Sequence, residues 1–176
     1  MKLQSKWVIW QNLSEDSDVK TWAEDLRSVG EFSQVEEFKY LEKELLTRKI
    51  DKLLSLKIFK YGIKPMWEDP RNMNGGRLVI DIPSASGYSP EEIYILTVAF
   101  CISNTAQGIC GVVIMSKHES HKISLWIEDE HYQTDVESKW SEVLFRYDLT
   151  IYFLLHKKSI DGNKGKKIWN RKKVNY

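Results

Sequence analysis

Six short segments of this chain have the composition of β-strands, being rich in Ile, Val, Trp and Tyr. Such residues favour a pleated, half-buried surface. The segments cover residues 3–12, 56–61, 77–82, 109–117, 121–128 and 149–155. Short turns such as residues 117–122 suit hairpins, so we expect a mostly antiparallel sheet.

Three helices are predicted between these strands, because a hydroxyl residue is followed three positions later by Glu, the pattern of a capping box. The pairs are Ser33 with Glu36, Ser89 with Glu92, and Thr134 with Glu137. Pro90 strengthens the second start, since its missing N–H costs nothing at the first helical position. Apolar stripes follow at helical spacing, and each needs a surface to cover it. The predicted fold class is α+β, a curved sheet with helices packed on one face.

The second helix is apolar nearly all round between residues 93 and 102, where only Thr97 interrupts the run. A helix on a sheet needs one apolar stripe, so its outer side either docks a partner or is covered by loops or the tail.

Charge divides the chain into a body, residues 1–155, and a basic tail, residues 156–176. The tail carries eight Lys/Arg and one Asp, whereas the remainder carries 18 Lys/Arg and 24 Asp/Glu. An acidic body argues against general affinity for polyanions, which needs a broad basic face. Any nucleic-acid binding should be local and chemically specific.

Enzyme and metal chemistry find little support in the residues. The spacing of the histidines in residues 118–121 does not suit a helical zinc motif, and no phosphate-gripping glycine loop occurs. Cys101 and Cys110 are expected to be buried free thiols. We therefore expect no catalytic residue, metal or cofactor. Without a signal peptide or a bilayer-spanning apolar run, a cytoplasmic monomer is expected.

Two of the seven tryptophans stand out from the rest. Trp7, Trp10 and Trp140 follow strand or helix patterns and are assigned to the core. Trp22 and Trp67 instead lie in polar, loop-like stretches, where a tryptophan more often touches a ligand.

The stretch around Trp67 resembles the signature of the translation initiation factor 4E family. It reads FKYGIKPMWED at residues 59–69 and NGGR at residues 74–77. Weaker matches lie at residues 20–22, 35–38, 110–113 and 122–126. The resemblance covers roughly residues 3–130, and beyond them only the order of elements agrees. It implies one domain with three long helices on the convex face of the sheet and a cap-binding slot on the concave side.

By this resemblance the chain binds the 7-methylguanosine 5′ cap of mRNA, with 7-methyl-GTP and cap dinucleotides as ligands. Trp22 and Trp67 would stack on the two sides of the methylated base, where stacking and cation–π attraction add. Glu68 would accept from N1–H and the N2 amino group, which selects guanine. Trp126 would lie near the N7-methyl group.

The resemblance also implies the phosphate-binding and partner-binding residues. Lys117, Lys122 and Arg77 would approach the triphosphate, and the basic tail would either close over it or remain a solvated extension. Val35, Lys39, Leu96 and Phe100 would form the surface for a scaffold protein of the factor 4G type or a 4E-binding regulatory protein.

Two departures from the family pattern affect these roles. Lys117 replaces an arginine, and its ammonium lacks the planar fork that grips two phosphate oxygens. Lys39 stands where the partner helix would pack on tryptophan. The leading interpretation is therefore a cap-binding initiation factor, and the alternative is a cap-binding homologue that represses or stores mRNA without productive scaffold docking.

Overall fold

The computed structural model describes residues 1–12, 26–47, 55–116 and 120–156. The strands are β1 (Lys2–Asn12), β2 (Leu26–Gln34), β3 (Ser55–Lys60), β4 (Gly76–Pro83), β5 (Ile109–Ser116), β6 (Ser120–Ile127) and β7 (Tyr152–Leu155). The helices are α1 (Val35–Thr47), α2 (Pro90–Ser103) and α3 (Gln133–Val143). Short 3₁₀ turns, Ser84–Ser86 and Glu130–Tyr132, come before α2 and α3.

The seven strands form one curved sheet in the order β2-β1-β3-β5-β6-β4-β7, and every neighbouring pair is antiparallel. The three helices pack on its convex face. The predicted α+β fold class is confirmed.

Side chains alternate between the two faces along each strand. In β6, Ile123, Leu125 and Ile127 enter the main core beneath the helices, as predicted. Trp126 joins a smaller cluster that does not include them. Strand β6 therefore presents Lys122, Ser124 and Trp126 to the concave face.

Helix α2 packs against both α1 and α3, which explains most of its apolar surface. Thr97, the one polar residue in the apolar run of α2, forms a buried hydrogen bond with α3, in which Trp140 Nε1 donates to Thr97 Oγ1 at 3.1 Å. Ile95 and Phe100 are buried, whereas Leu96 is 37% exposed. The protein itself thus covers most of the surface that the sequence left open to a partner.

Only one of the three predicted capping boxes forms the expected start. Ser89 Oγ accepts from the Glu92 backbone N–H at 3.2 Å, with Pro90 as the first helical residue. The third predicted helix is present as α3, but its predicted cap is wrong. The helix begins at Gln133, directly after a 3₁₀ turn, and has no side-chain cap. Thr134 already lies inside the helix.

Helix α1 is also capped differently from the prediction. Strand β2 runs directly into the helix at Val35, and the Glu37 carboxylate accepts from the backbone N–H groups of Ser33 and Gln34 at 2.7 and 3.0 Å. Glu36 instead pairs with the N-terminal ammonium at 2.6 Å. Glu37, one position after the predicted Glu36, is therefore the capping residue.

Strand β2 was not predicted, and β7 is shorter than expected. Most of β2 is polar and exposed, and only Leu26 and Phe32 are buried. As an edge strand it has one partner and needs little apolar patterning. Strand β7 begins at Tyr152 rather than at residue 149.

Candidate functional site

A hydrogen-bonded loop, residues 61–75, joins β3 to β4 and carries Trp67. Asn72 is fully buried within it. Its Nδ2 donates to the backbone carbonyls of Lys64 at 2.9 Å and Met66 at 2.7 Å. These bonds hold the segment just before Trp67 against the segment just after it.

A second side chain, Asp69, closes the same loop from outside. Its two carboxylate oxygens accept from the backbone N–H groups of Lys64 and Arg71, each at 2.9 Å. Arg71 then anchors the loop to the end of β6, because its Nη2 lies 2.6 Å from Glu128 Oε2. This hydrogen bond raises the pKa of Arg71. Cys110 Sγ also reaches the Arg71 carbonyl at 3.6 Å.

The loop presents a half-buried indole beside an exposed carboxylate. Trp67 Nε1 donates to Glu68 Oε1 at 2.5 Å. The other Glu68 carboxylate oxygen has no hydrogen-bond partner among the described residues. A flat ligand that lies on the indole would therefore find an acceptor at its edge.

We call the five residues Phe59, Ile63, Cys110, Val113 and Trp126 the concave cluster, since they form a small core separate from the one beneath the helices. The rings of Phe59 and Trp126 meet edge to face, with 5.4 Å between their centroids. Ile63 belongs to the loop, so the cluster joins the loop to the sheet. The Trp126 indole N–H is buried without a hydrogen-bond partner among the described residues.

His156 covers the Trp126 side of this cluster. It is fully buried, and its ring centroid lies 4.3 Å from that of Trp126. Neither ring nitrogen forms a hydrogen bond of good geometry within the described ranges, although a backbone group of Gly76 lies near the ring. Burial and the nearby Arg77 cation lower the pKa of His156 to about 3. The sequence placed His156 in the tail, but its side chain packs within the body.

Strands β3, β4 and β6 contribute basic side chains to the concave face. Lys57 is buried, donates to Asn12 Oδ1, and has its pKa lowered by burial to about 8. Arg77 stands opposite Trp126 in the β4–β6 pair, and burial lowers its pKa. Lys122 lies further along the same pair, opposite Asp81.

The structure brings five of the predicted ligand residues to one side of the sheet. Trp67 and Glu68 lie in the loop at the end of β6 where Trp126 and Arg77 are paired. Lys122 is four residues away along β6, or about 13 Å at the rise of a strand. Trp22 and Lys117, together with tail residues 157–176, lie outside the described residues.

The predicted partner surface is only partly brought together. A groove of about 470 Å³ runs between the start of β1, α1 and the end of α2. Its lining includes Val35, Lys39, Ala99 and Ile102. Leu96 and Phe100 do not line it: Phe100 is buried, and Leu96 is 37% exposed outside the groove. Ala99 and Ile102 therefore replace them as the residues that face α1.

Three residues of the site escaped the sequence interpretation. Asn72 and His156 are fully buried, which is not expected from the sequence for polar residues. Asp81 of β4 is paired with Lys122 of β6, and the sequence does not show this pairing. The position of Asn72 between the two parts of the signature, residues 59–69 and 74–77, was the one signal for it in the sequence.

Both cysteines are buried free thiols, as expected, and burial raises the pKa of each to about 12. Among the described residues, no three His, Cys, Asp or Glu side chains are grouped to hold a metal ion. No helix in that part of the chain is long and apolar enough to cross a bilayer.

A curved antiparallel sheet with helices on one face and a tryptophan-bearing loop beside basic residues on the other defines a ligand-binding domain of the α+β class. The family profile described as "Eukaryotic initiation factor 4E" matches residues 2–171. The chain belongs to the eukaryotic initiation factor 4E family, and this membership agrees with a binding protein rather than an enzyme.

Individual relatives support the same assignment. The chain is 31% identical over 159 residues to eukaryotic translation initiation factor isoform 4E of Arachis hypogaea, covering 86% of this chain and 77% of the relative. Ascaris suum eIF4E-3 with m7G cap has the same fold at 24% identity and a TM-score of 0.79, covering 95% of this chain and 96% of the other. A schistosome eIF4E complexed with m7GpppA and 4E-BP has 26% identity and a TM-score of 0.78, covering 97% and 96%.

Proposed function

We propose that this protein binds the 7-methylguanosine 5′ cap of mRNA on its concave face. The observation that carries this proposal is the pairing of Trp67 with Glu68 on a loop held by buried Asn72, beside Arg77 and Lys122. The schistosome family member was solved with m7GpppA, which supports the same ligand class. A cytoplasmic location and a basic tail that closes over the phosphates belong to this proposal.

Methylated guanine would stack between Trp67 and Trp22. A methylated purine is a flat cation, and an indole face attracts it by stacking and by its quadrupole. Loss of a base-stacking aromatic costs about 1 to 3 kcal/mol. Trp126 is only 7% exposed, so its part would be an edge contact near the N7-methyl group rather than a third stacking surface.

Glu68 would read the base as guanine. A carboxylate can accept from both N1–H and the N2 amino group, which adenine cannot offer in this arrangement. The ligand would have to replace the Trp67 indole N–H as the partner of one oxygen. Loss of this charged acceptor is expected to cost about 1.5 to 3 kcal/mol.

The phosphates would extend from Arg77 toward Lys122, and Lys117 would add a further phosphate contact. Arg77 has no ion pair within the described residues, so it is open to an anion. Because Arg77 is partly desolvated, an anion that reaches it would interact more strongly than at a fully exposed site.

Tryptophan fluorescence titration with 7-methyl-GTP and with GTP tests the base reading. We expect quenching by the methylated ligand, and a loss of affinity of about fivefold or more for Trp67→Ala and about tenfold or more for Glu68→Gln. Matched controls are Phe145→Ala and Glu130→Gln, which alter exposed residues elsewhere. Equal affinity of the wild-type protein for both nucleotides would exclude a cap receptor.

The second part of the proposal concerns partners. The groove beside Val35 and Lys39 would receive a helix of a factor 4G-type scaffold or a 4E-binding protein, since the schistosome relative was solved with 4E-BP. Such docking would make the protein an initiation factor. Without it, cap occupation would repress or store mRNA, and Lys39 in place of an aromatic favours this alternative.

Peptide binding separates the two roles. Fluorescence anisotropy with a scaffold-derived helix and a 4E-binding-protein helix would be measured on the wild-type protein and on Lys39→Trp. Tight wild-type binding of the scaffold helix supports initiation, whereas binding that appears only in Lys39→Trp supports the repressor role. Lys43→Trp, one turn further along α1, is the matched control.

A further inference from the structure

Lys122 already has a carboxylate partner on the concave face. It stands directly opposite Asp81 in the β4–β6 pair, and its Nζ lies 3.2 Å from Asp81 Oδ1. Tyr152 of β7 donates its hydroxyl to the other carboxylate oxygen, Oδ2, at 2.8 Å. Three adjacent strands therefore hold Asp81 with both oxygens engaged.

Asp81 is also an exception in the sheet. It is the single acidic residue within strands β3 to β7. The other strand carboxylate, Glu31 of β2, lies at the far edge of the sheet and pairs with Lys6. Arg77, at the other end of the same strand pair, has no carboxylate partner among the described residues.

Lys122 and Arg77, at the two ends of the β4–β6 pair, consequently differ in their electrostatic environment. Burial opposes the charged form of Lys122, but hydrogen bonds to Tyr152 and Asp81 outweigh burial and raise its pKa. Lys122 is therefore protonated, but its positive charge is compensated by the Asp81 carboxylate. A phosphate that reaches its ammonium must approach a fixed carboxylate within about 6 Å or displace it.

We propose that Asp81 is a specificity-determining residue that limits the contribution of the distal phosphates to binding. The inference rests on the proposed cap-binding function and deepens it. The protein would then distinguish ligands by the methylated base and the first phosphate, which lies nearer Arg77, and much less by the length of the phosphate chain.

Solvent reaches both side chains, which keeps the expected effect moderate. Lys122 and Asp81 side chains are 32% and 42% exposed. For one negative charge about 6 Å from another in a largely aqueous environment, repulsion corresponds to about three- to tenfold in affinity.

The test is a titration series with 7-methyl-GMP, 7-methyl-GDP and 7-methyl-GTP on the full chain. Asp81→Asn keeps the shape and an acceptor for Tyr152 but removes the charge. We expect its affinity for 7-methyl-GTP to rise about three- to tenfold, and for 7-methyl-GMP less than about twofold. Asp81→Thr, which suits a strand, provides a second variant, and Glu31→Gln is the matched control.

Each outcome bears on one proposal. Equal gains for the mono- and triphosphate, or no gain, would refute the role of Asp81 while leaving methyl-selective binding intact. Weaker triphosphate binding by Asp81→Asn would mean that the carboxylate orients Lys122 for the ligand, which also refutes it. If the wild-type protein binds GTP and 7-methyl-GTP equally, the cap-binding function itself fails. Melting temperatures of all variants verify that they fold.

Discussion

Replacement of Asn72 should loosen the loop that carries Trp67 and Glu68. In Asn72→Ala, the Lys64 and Met66 carbonyls lose the amide donors at 2.9 and 2.7 Å. Each carbonyl keeps one backbone donor, at 2.7 Å for Lys64 and 3.2 Å for Met66. The loss is therefore near the net worth of two hydrogen bonds, about 1 to 3 kcal/mol in total.

Asn72→Asp should be worse than Asn72→Ala at neutral pH, although it is nearly isosteric. The substitution turns a donor into an acceptor that faces two carbonyl oxygens at a fully buried position. We expect a loss of at least about 3 kcal/mol at pH 7. Burial without donors raises the pKa of the new carboxyl in the folded state. Stability should therefore recover as the pH falls through that pKa, when the protonated acid can donate to one carbonyl.

Thermal melting and 7-methyl-GTP titration would be measured on both variants at pH 7 and pH 5. For a domain of this size, 1 kcal/mol corresponds to about 2 to 4 °C in Tm. If the loop must be reordered on binding, the same energy lowers cap affinity by about five- to a hundredfold in Asn72→Ala. The control is Asn74→Ala, an exposed asparagine in the same loop.

Two results would refute this reasoning. If Asn72→Asp is as stable as Asn72→Ala at pH 7, the amide nitrogen is not the atom that faces both carbonyls. If both variants match Asn74→Ala in affinity and in Tm, the loop is held by other contacts.

Three further predictions concern stability. Burial holds the pKa of His156 at about 3, below the 6.5 of the unfolded chain. The free energy of unfolding should therefore fall as the pH drops below 6.5, by up to about 1.4 kcal/mol per pH unit. In urea unfolding at pH 7 and pH 5, this fall should be smaller for His156→Gln than for the wild-type protein. Thr97→Val leaves the Trp140 indole N–H buried without an acceptor and should cost about 1 to 3 kcal/mol in urea unfolding, with cap affinity unchanged. Ser89→Ala should cost about 1 kcal/mol, whereas Thr134→Ala should cost much less because Thr134 makes no cap, and melting temperatures decide between them.

Much of the fold could be predicted because alternation and helical stripes are local patterns. Strand β6 illustrates this, since its isoleucines and Leu125 enter the main core while Trp126 faces the other side. Strand β2 could not be predicted, because an edge strand with two buried residues has no alternation to detect. At the start of α1, Glu37 caps the helix while Glu36 pairs with the N-terminal ammonium, 35 residues away in sequence, and no local pattern distinguishes the two glutamates.

The base-binding end of the candidate site was the more predictable one. Trp67 and Glu68 lie within a contiguous signature, and their loop is closed mainly by short-range hydrogen bonds from Asn72 and Asp69. Such contacts depend on neighbours in sequence, so a short motif can carry them. The second stacking residue, Trp22, stays a prediction by resemblance.

The phosphate end depends on the register of β4 against β6, and because no hairpin turn joins these two strands, no short motif specifies it. Antiparallel pairing puts Arg77 opposite Trp126 and Asp81 opposite Lys122. A shift of one residue would place an isoleucine of β4 beside Lys122 and leave its ammonium without a carboxylate. From the sequence Lys122 counts as a free cation, whereas in the fold it is paired. Whether a basic residue can serve an anionic ligand is thus decided by its cross-strand partner, and the phosphate contribution must be measured rather than inferred from the number of basic residues.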